Sequence, residues 1–141
     1  MAVVARYLVD TSAAARFHHA DVGRRLAPLI EAGLVATCAP LDFEALYSTR
    51  GPTDFEAART DRALAYEYLP TDDLDWRRAL EVQRELAHTS RHRAVGIADL
   101  LVAAVAERHG VTLVHYDADF DTIAEITGQK TQWVVERGAV L

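Results

Sequence analysis

Residues 6–17 read RYLVDTSAAARF, a short apolar run that stops at Asp10 and passes at once into an alanine-rich segment. Such a pattern describes a buried strand handing over to a helix, with a carboxylate at the junction. Asp10 has two readings there. It can cap the helix, because its side chain accepts the free N–H groups of the first turn. It can also do chemistry at the carboxyl end of a strand. Thr11 and Ser12 are capable caps as well, and either would free Asp10 for the second role.

The same alternation runs outward through the chain. Gly33 precedes LVATC, Gly110 precedes VTLVHY and Gly128 precedes QKTQWVV, so three glycines each close a helix-like segment and lead into a β-branched run. The expected strands are 3–9, 34–38, 66–69, 112–116 and 131–135. The expected helices are 12–18, 21–32, 41–49, 54–65, 73–90, 95–109 and 119–126. Strands alternating with helices imply an α/β protein, a central parallel sheet of about five strands between two helical layers. In such folds ligands bind beyond the carboxyl ends of the strands.

Composition narrows the class. The 141 residues suit one domain spanning 1–141, with 50% hydrophobic and 26% charged residues, as in ordinary globular proteins. Cys38 is the one cysteine, which excludes an intrachain disulfide and favours a cytoplasmic home. The N-terminus does not read as a signal peptide, and the most apolar stretch, 94–106, is too short and too interrupted by Asp99 to span a bilayer. The net charge of −6 argues against a generic basic nucleic-acid binder. Fourteen of the fifteen basic residues are nevertheless Arg, with Lys130 the exception. The guanidinium fork matches phosphate well, although a GC-rich genome also favours Arg.

Four acids stand out. Asp10 and Asp117 each follow a strand, and on a parallel sheet their carboxylates share one edge; each can also be a helix N-cap. Asp99 lies in VGIADLLVAAVAERHG, a helix apolar on nearly every side and therefore central. A carboxylate there needs a partner or a purpose, because its desolvation is costly, although a place in the first turn also suits the helix dipole. Glu44 lies in APLDFEALYSTR, within the first turns of a helix for which Asp42 is the better cap. A solvated helix face explains Glu44 equally well. Jointly, four carboxylates at one edge would repel and take up protons unless a cation neutralised them. Oxygen donors without a Cys or His cluster suit Mg²⁺ or Mn²⁺. A pocket of this kind cuts phosphodiesters by lowering the pKa of a bound water and stabilising charge on the phosphate.

The ordered set LVDTSA, FEAL, IADLLVAA and YDADF resembles the PIN-domain ribonucleases, and among them the VapC-type toxins of bacterial type II toxin–antitoxin systems. The resemblance covers nearly the whole chain. It implies a PIN-like fold and a Mg²⁺-dependent endoribonuclease, with Mn²⁺ a possible substitute. Asp10, Glu44, Asp99 and Asp117 match the family's acidic quartet, with Asp10 and Asp99 implied as direct metal ligands. Glu44 and Asp117 would complete the pocket and help to deprotonate the attacking water. Asp119 matches a frequent additional acid. Thr11 and Ser12 match an auxiliary hydroxyl pair that can hydrogen-bond a carboxylate or the scissile phosphate. The implied partners are a structured RNA such as tRNA, a cognate VapB-type antitoxin and a second copy in a homodimer, with no membrane. Arg77, Arg78, Arg84, Arg91 and Arg93 are candidates for holding the RNA backbone, or form a solvated helix face. His115 stands where many relatives carry Thr or Ser two residues before the fourth acid. It can hydrogen-bond the acid cluster or RNA, or fill a strand end, and the structural role is the favoured reading.

Other classes fit less well. The seven glycines form no phosphate-binding loop. Cys38 reads as core within a strand. His88 and His92 are spaced as a helical Zn²⁺ pair but have no evident third ligand, and His18 and His19 should point apart on a helix. The alternative from another class is a non-catalytic α/β signalling or binding module, such as a receiver-like phosphoacceptor domain. A non-catalytic PIN-like binding protein is a third option, disfavoured by the intact quartet. The receiver-like reading is the one with a sequence test. It would need an acidic pair after the first strand and a Lys after a late one, whereas Asp10 stands alone and Lys130 precedes the last strand.

Overall fold

The structure, a computed structural model, describes residues 2–141. Its five strands are β1 (Tyr7–Val9), β2 (Val35–Thr37), β3 (Glu67–Tyr68), β4 (Thr112–His115) and β5 (Thr131–Trp133). All pair in parallel, in the order β3-β2-β1-β4-β5. The helices are α1 (Thr11–Ala14), α2 (Ala20–Glu31), α3 (Ala39–Tyr47), α4 (Pro52–Ala65), α5 (Asp73–Ala87), α6 (Ile97–His109) and α7 (Asp119–Thr127).

Side-chain alternation along the strands divides the apolar residues into two cores. Leu8, Ala36 and Leu113 face α3, α5, α6 and α7, where they meet Leu41, Val82, Leu86, Val102, Val105, Phe120 and Ile123. Tyr7, Val9 and Val114 face the other way, against Ala13, Val22 and Leu26 of α1 and α2. Helix α6 is central as expected, with every residue from Leu100 to Ala106 buried. Gly110 and Gly128 end α6 and α7 at φ 69°, in the left-handed region that a β-carbon disfavours. Each turn sends the chain directly into the next strand.

The differences from expectation lie at element ends. Strand β1 begins at Tyr7 rather than residue 3, because Val4 and Ala5 donate their N–H groups to the Glu67 carboxylate (3.0 and 2.8 Å) instead of to a neighbouring strand. The first helix is a single turn, and the His18 and His19 rings that follow lie 4.3 Å apart instead of diverging. Helix α5 stops at Ala87, so His92 lies beyond it and shares no helix face with His88. Cys38 lies just past β2, where it precedes α3 rather than sitting within the strand.

One buried acid has a purely architectural use. Asp75, 1% exposed, bonds the backbone N–H of Asp72 (3.0 Å) and accepts a two-pronged contact from Arg108 of α6 (2.8 and 3.0 Å). This fork locks the start of α5 to the end of α6, with both carboxylate oxygens satisfied.

Candidate metal centre

Strands β1 and β4 are neighbours in register, Val9 beside Val114, so the segments that leave them start side by side. The N–H of Asp10 continues the ladder by donating to the Val114 carbonyl (2.9 Å). Asp10 Oδ2 accepts the Ser12 N–H (2.9 Å), so Asp10 itself caps α1. The expectation that Thr11 or Ser12 would take that role is corrected. The Ser12 hydroxyl is engaged elsewhere: its Oγ accepts the Tyr116 N–H (2.9 Å) and ties the exit of β4 to α1. One carboxylate can cap with one oxygen and present the other, so capping and chemistry are not exclusive at Asp10.

After β4 the chain turns tightly. The N–H of Asp117 donates to His115 Nδ1 (3.2 Å), and Asp117 Oδ1 accepts the N–H of Asp119 (2.9 Å). These bonds fold residues 115–119 so that Asp117 and Asp119 approach Asp99, the third residue of α6. Asp99, Asp117 and Asp119 each offer a carboxylate oxygen within 4.8 Å of the others. Asp10, 4% exposed, and the exposed Glu44 fall outside that triad. Both still act on Asp99 electrostatically. Burial and then the charges of Asp10, Asp117, Asp119 and Glu44 push the Asp99 carboxyl up from 3.8 to about 7. A helix N-terminus ordinarily favours a carboxylate, and here desolvation and the four acids outweigh it. Burial and Asp117 also raise Asp119.

An all-oxygen donor set that holds one of its carboxyls protonated near neutrality fits a hard divalent cation. Such an ion would relieve the repulsion that protonation otherwise relieves.

The other sequence-selected residues are placed as follows. Helix α3 begins at Ala39, which puts Glu44 in its second turn. Asp42 does not cap α3; its Oδ1 accepts from the Thr37 hydroxyl (2.8 Å) and Arg62 Nε (2.9 Å), holding α3 and α4 against β2. No spacing in the sequence announces that Arg62 contact. Burial pushes the Cys38 thiol up to about 12, which makes it unreactive. His115 is fully buried, and burial lowers its pKa, keeping the ring neutral. Three of the five selected arginines have acidic partners: Arg77 with Asp73 (2.6 Å), Arg78 with Glu107 (2.7 Å) and Arg91 with Glu125 (3.3 Å). Arg84 and Arg93 make no ion pair among the described residues. Lys130 precedes β5 and so lies at the opposite end of the parallel sheet from the acids, which removes the phosphoacceptor geometry. No helix among the described residues is long and apolar enough to cross a membrane.

Comparison with known proteins places this arrangement among relatives. The sequence profile of the PIN domain matches residues 7–126. Ribonuclease VapC21 of Mycobacterium tuberculosis is 47% identical over 133 residues, covering 94% of this chain and 96% of the relative. Ribonuclease VapC51 of the same organism is 42% identical over 136 residues, covering 96% and 97%. Among solved structures, the fold is similar to that in DNA-bound VapBC from Salmonella typhimurium, with a TM-score of 0.74, 17% identity and coverage of 93% and 99%.

Proposed function

We propose that this chain, which belongs to the PIN-domain family and within it to the VapC-type ribonucleases, cleaves RNA with a divalent cation held by its acidic cluster. The observation that carries this reading is the convergence of Asp99, Asp117 and Asp119 within 4.8 Å at the carboxyl edge of the sheet.

The cation is Mg²⁺, with Mn²⁺ able to substitute. Asp99, Asp117 and Asp119 would hold it, while Asp10 and Glu44 complete the pocket through water or a second ion. Bound there, the ion supplies a low-pKa water and stabilises charge on the phosphate and the leaving oxygen. Glu44 is exposed and near enough to act on Asp99, so it would be the group to take the proton from the attacking water. Asp10 and Asp117 are each oriented by a backbone N–H, which keeps one oxygen of each carboxylate in a fixed direction.

The substrate is a structured RNA of the tRNA class, met through its backbone by Arg84 and Arg93. A VapB-type antitoxin and a second copy of the chain are the protein partners. Two exposed apolar faces support two such contacts: Phe43, Tyr47 and Tyr68 on one, Trp76, Leu80 and Ile97 on the other. The solved neighbour that contains both VapB and VapC supports the first partner.

Incubation of the purified chain with tRNA and Mg²⁺, beside Asp99→Asn, tests the reading. Cleavage should fall at least about a hundredfold in the variant, as expected when a group that holds charge in the transition state is lost. Equal cleavage by both proteins, or none by the wild type on any structured RNA, overturns it.

A further inference from the structure

His115 is a fully buried ring at the end of β4, two residues before Asp117. Its environment fixes its orientation. The ring lies 5.2 Å from Phe120 and 5.1 Å from Trp133, centroid to centroid, and Trp133 Nε1 in turn donates to the Asp121 carboxylate (3.1 Å). A ring clamped between two aromatics cannot swing away from its contacts. The contact that matters is backbone to side chain. The N–H of Asp117 points at His115 Nδ1 (3.2 Å), so Nδ1 carries the lone pair and the ring proton lies on Nε2. Nε2 has no hydrogen-bond partner; the nearest carboxylate oxygen, Asp121 Oδ1, is 4.0 Å away.

The consequence falls on the acidic cluster. Asp117 is anchored at three atoms: its N–H on His115, its carbonyl by the Phe120 N–H (3.2 Å) and its Oδ1 by the Asp119 N–H (2.9 Å). Among the described residues Oδ2 makes no such bond and is the oxygen left for a ligand. The last two anchors bind the turn to itself. The first binds it to a rigid ring in the core, so it decides where the turn sits relative to Asp99. Phe120, the ring's neighbour, follows Asp119 directly and couples the same support to both acids.

We propose that His115 is a positioning residue for the metal centre: its Nδ1, through the backbone N–H of Asp117, aims the Asp117 and Asp119 carboxylates at Asp99. The inference rests on the metal reading given above. Thr or Ser at this position could not fill the space between Phe120 and Trp133, so this chain uses an aromatic acceptor.

The test measures Mn²⁺ affinity by the electron spin resonance of the free ion, in the full chain and without RNA. The variants are His115→Leu, which fills space without an acceptor, and His115→Asn, whose Oδ1 stands near the place of Nδ1. Loss of an outer support of this kind weakens metal binding about 10- to 100-fold. The expected pattern is a loss of at least about tenfold in His115→Leu and recovery to within about threefold in His115→Asn. A merely structural role would damage both equally, and that result overturns the proposal, as does unchanged affinity in His115→Leu. Absence of Mn²⁺ binding by the wild type is a different failure, which overturns the metal reading and with it this one. If His115→Leu does not fold, ¹⁵N spectra of the wild type decide. An unprotonated Nδ1 coupled across the hydrogen bond to the Asp117 amide supports the proposal, and a protonated Nδ1 overturns it.

Discussion

Replacing Asp99 with Asn should make the metal-free protein more stable while destroying its cation site. The size of the gain follows from the site. Moving a carboxyl from 3.8 to about 7 corresponds to roughly 4 kcal/mol at about 1.4 kcal/mol per pH unit. Asp99 is partly exposed, and solvent screening reduces this to about 2 kcal/mol. The sign is set by proton binding. The folded state holds the Asp99 proton more tightly than the unfolded chain does, so folding is penalised progressively as pH rises from about 4 to about 7. Below that window Asp99 is neutral in both states, and the variant and the wild type should be alike. Above it the wild type carries the full penalty and Asn does not. The assay is urea or thermal unfolding of both proteins in EDTA, at about pH 4 and about pH 8. At the higher pH the variant should melt about 4–8 °C above the wild type, and at the lower the curves should nearly coincide. Taking the difference cancels the groups that titrate independently of Asp99, so the gap reports Asp99 together with the acids coupled to it. A variant no more stable at high pH, or a gap that does not change with pH, would refute the electrostatic account of Asp99.

Saturating Mn²⁺ should raise the wild-type melting temperature at neutral pH by mass action, and the rise should fade in acid as protons compete for the same oxygens; Asp99→Asn should show almost none of it. Arg108→Met strips the buried Asp75 carboxylate of its fork and should cost about 2–3 kcal/mol in a urea melt, with Mn²⁺ affinity per folded molecule unchanged. Ser12→Ala leaves the Tyr116 N–H without its acceptor and should cost about 1–2 kcal/mol by the same measurement. Arg84→Ala with Arg93→Ala should weaken tRNA binding at low salt and flatten its salt dependence by about two in log–log slope; an unchanged slope would remove these residues from the RNA path.

Much of the fold can be read locally. Gly110 and Gly128 need only their own backbone to end a helix, so the order of elements follows from the chain. Leu8 and Val9 already assign opposite faces of β1, which separates the two cores. The ends of elements were less legible. The N-terminal valines look like strand, yet the Glu67 side chain takes the hydrogen bonds that a strand would need. Asp42 looks like a cap and instead meets Arg62, a partner 20 positions away that appears only when α4 folds back on α3. Asp75 carries no signal in the sequence, because a helix-start acid and a distant Arg show no pattern until α5 and α6 pack.

The sequence alone determined which residues are acidic and which strand or helix ends they occupy, because strand periodicity, glycine caps and an Asp in an apolar helix are local properties. It also carried the family resemblance, which rests on the order of those acids. Only the tertiary structure decided how they group. Parallel pairing of β1 with β4 put Asp10 beside the 115–119 turn, and the hydrogen bonds of that turn brought Asp119 into the triad while Asp10 and Glu44 stayed outside it. Distances between carboxylates set their repulsion and their affinity for a cation, and those distances come from contacts more than a hundred residues apart, such as Ser12 with Tyr116.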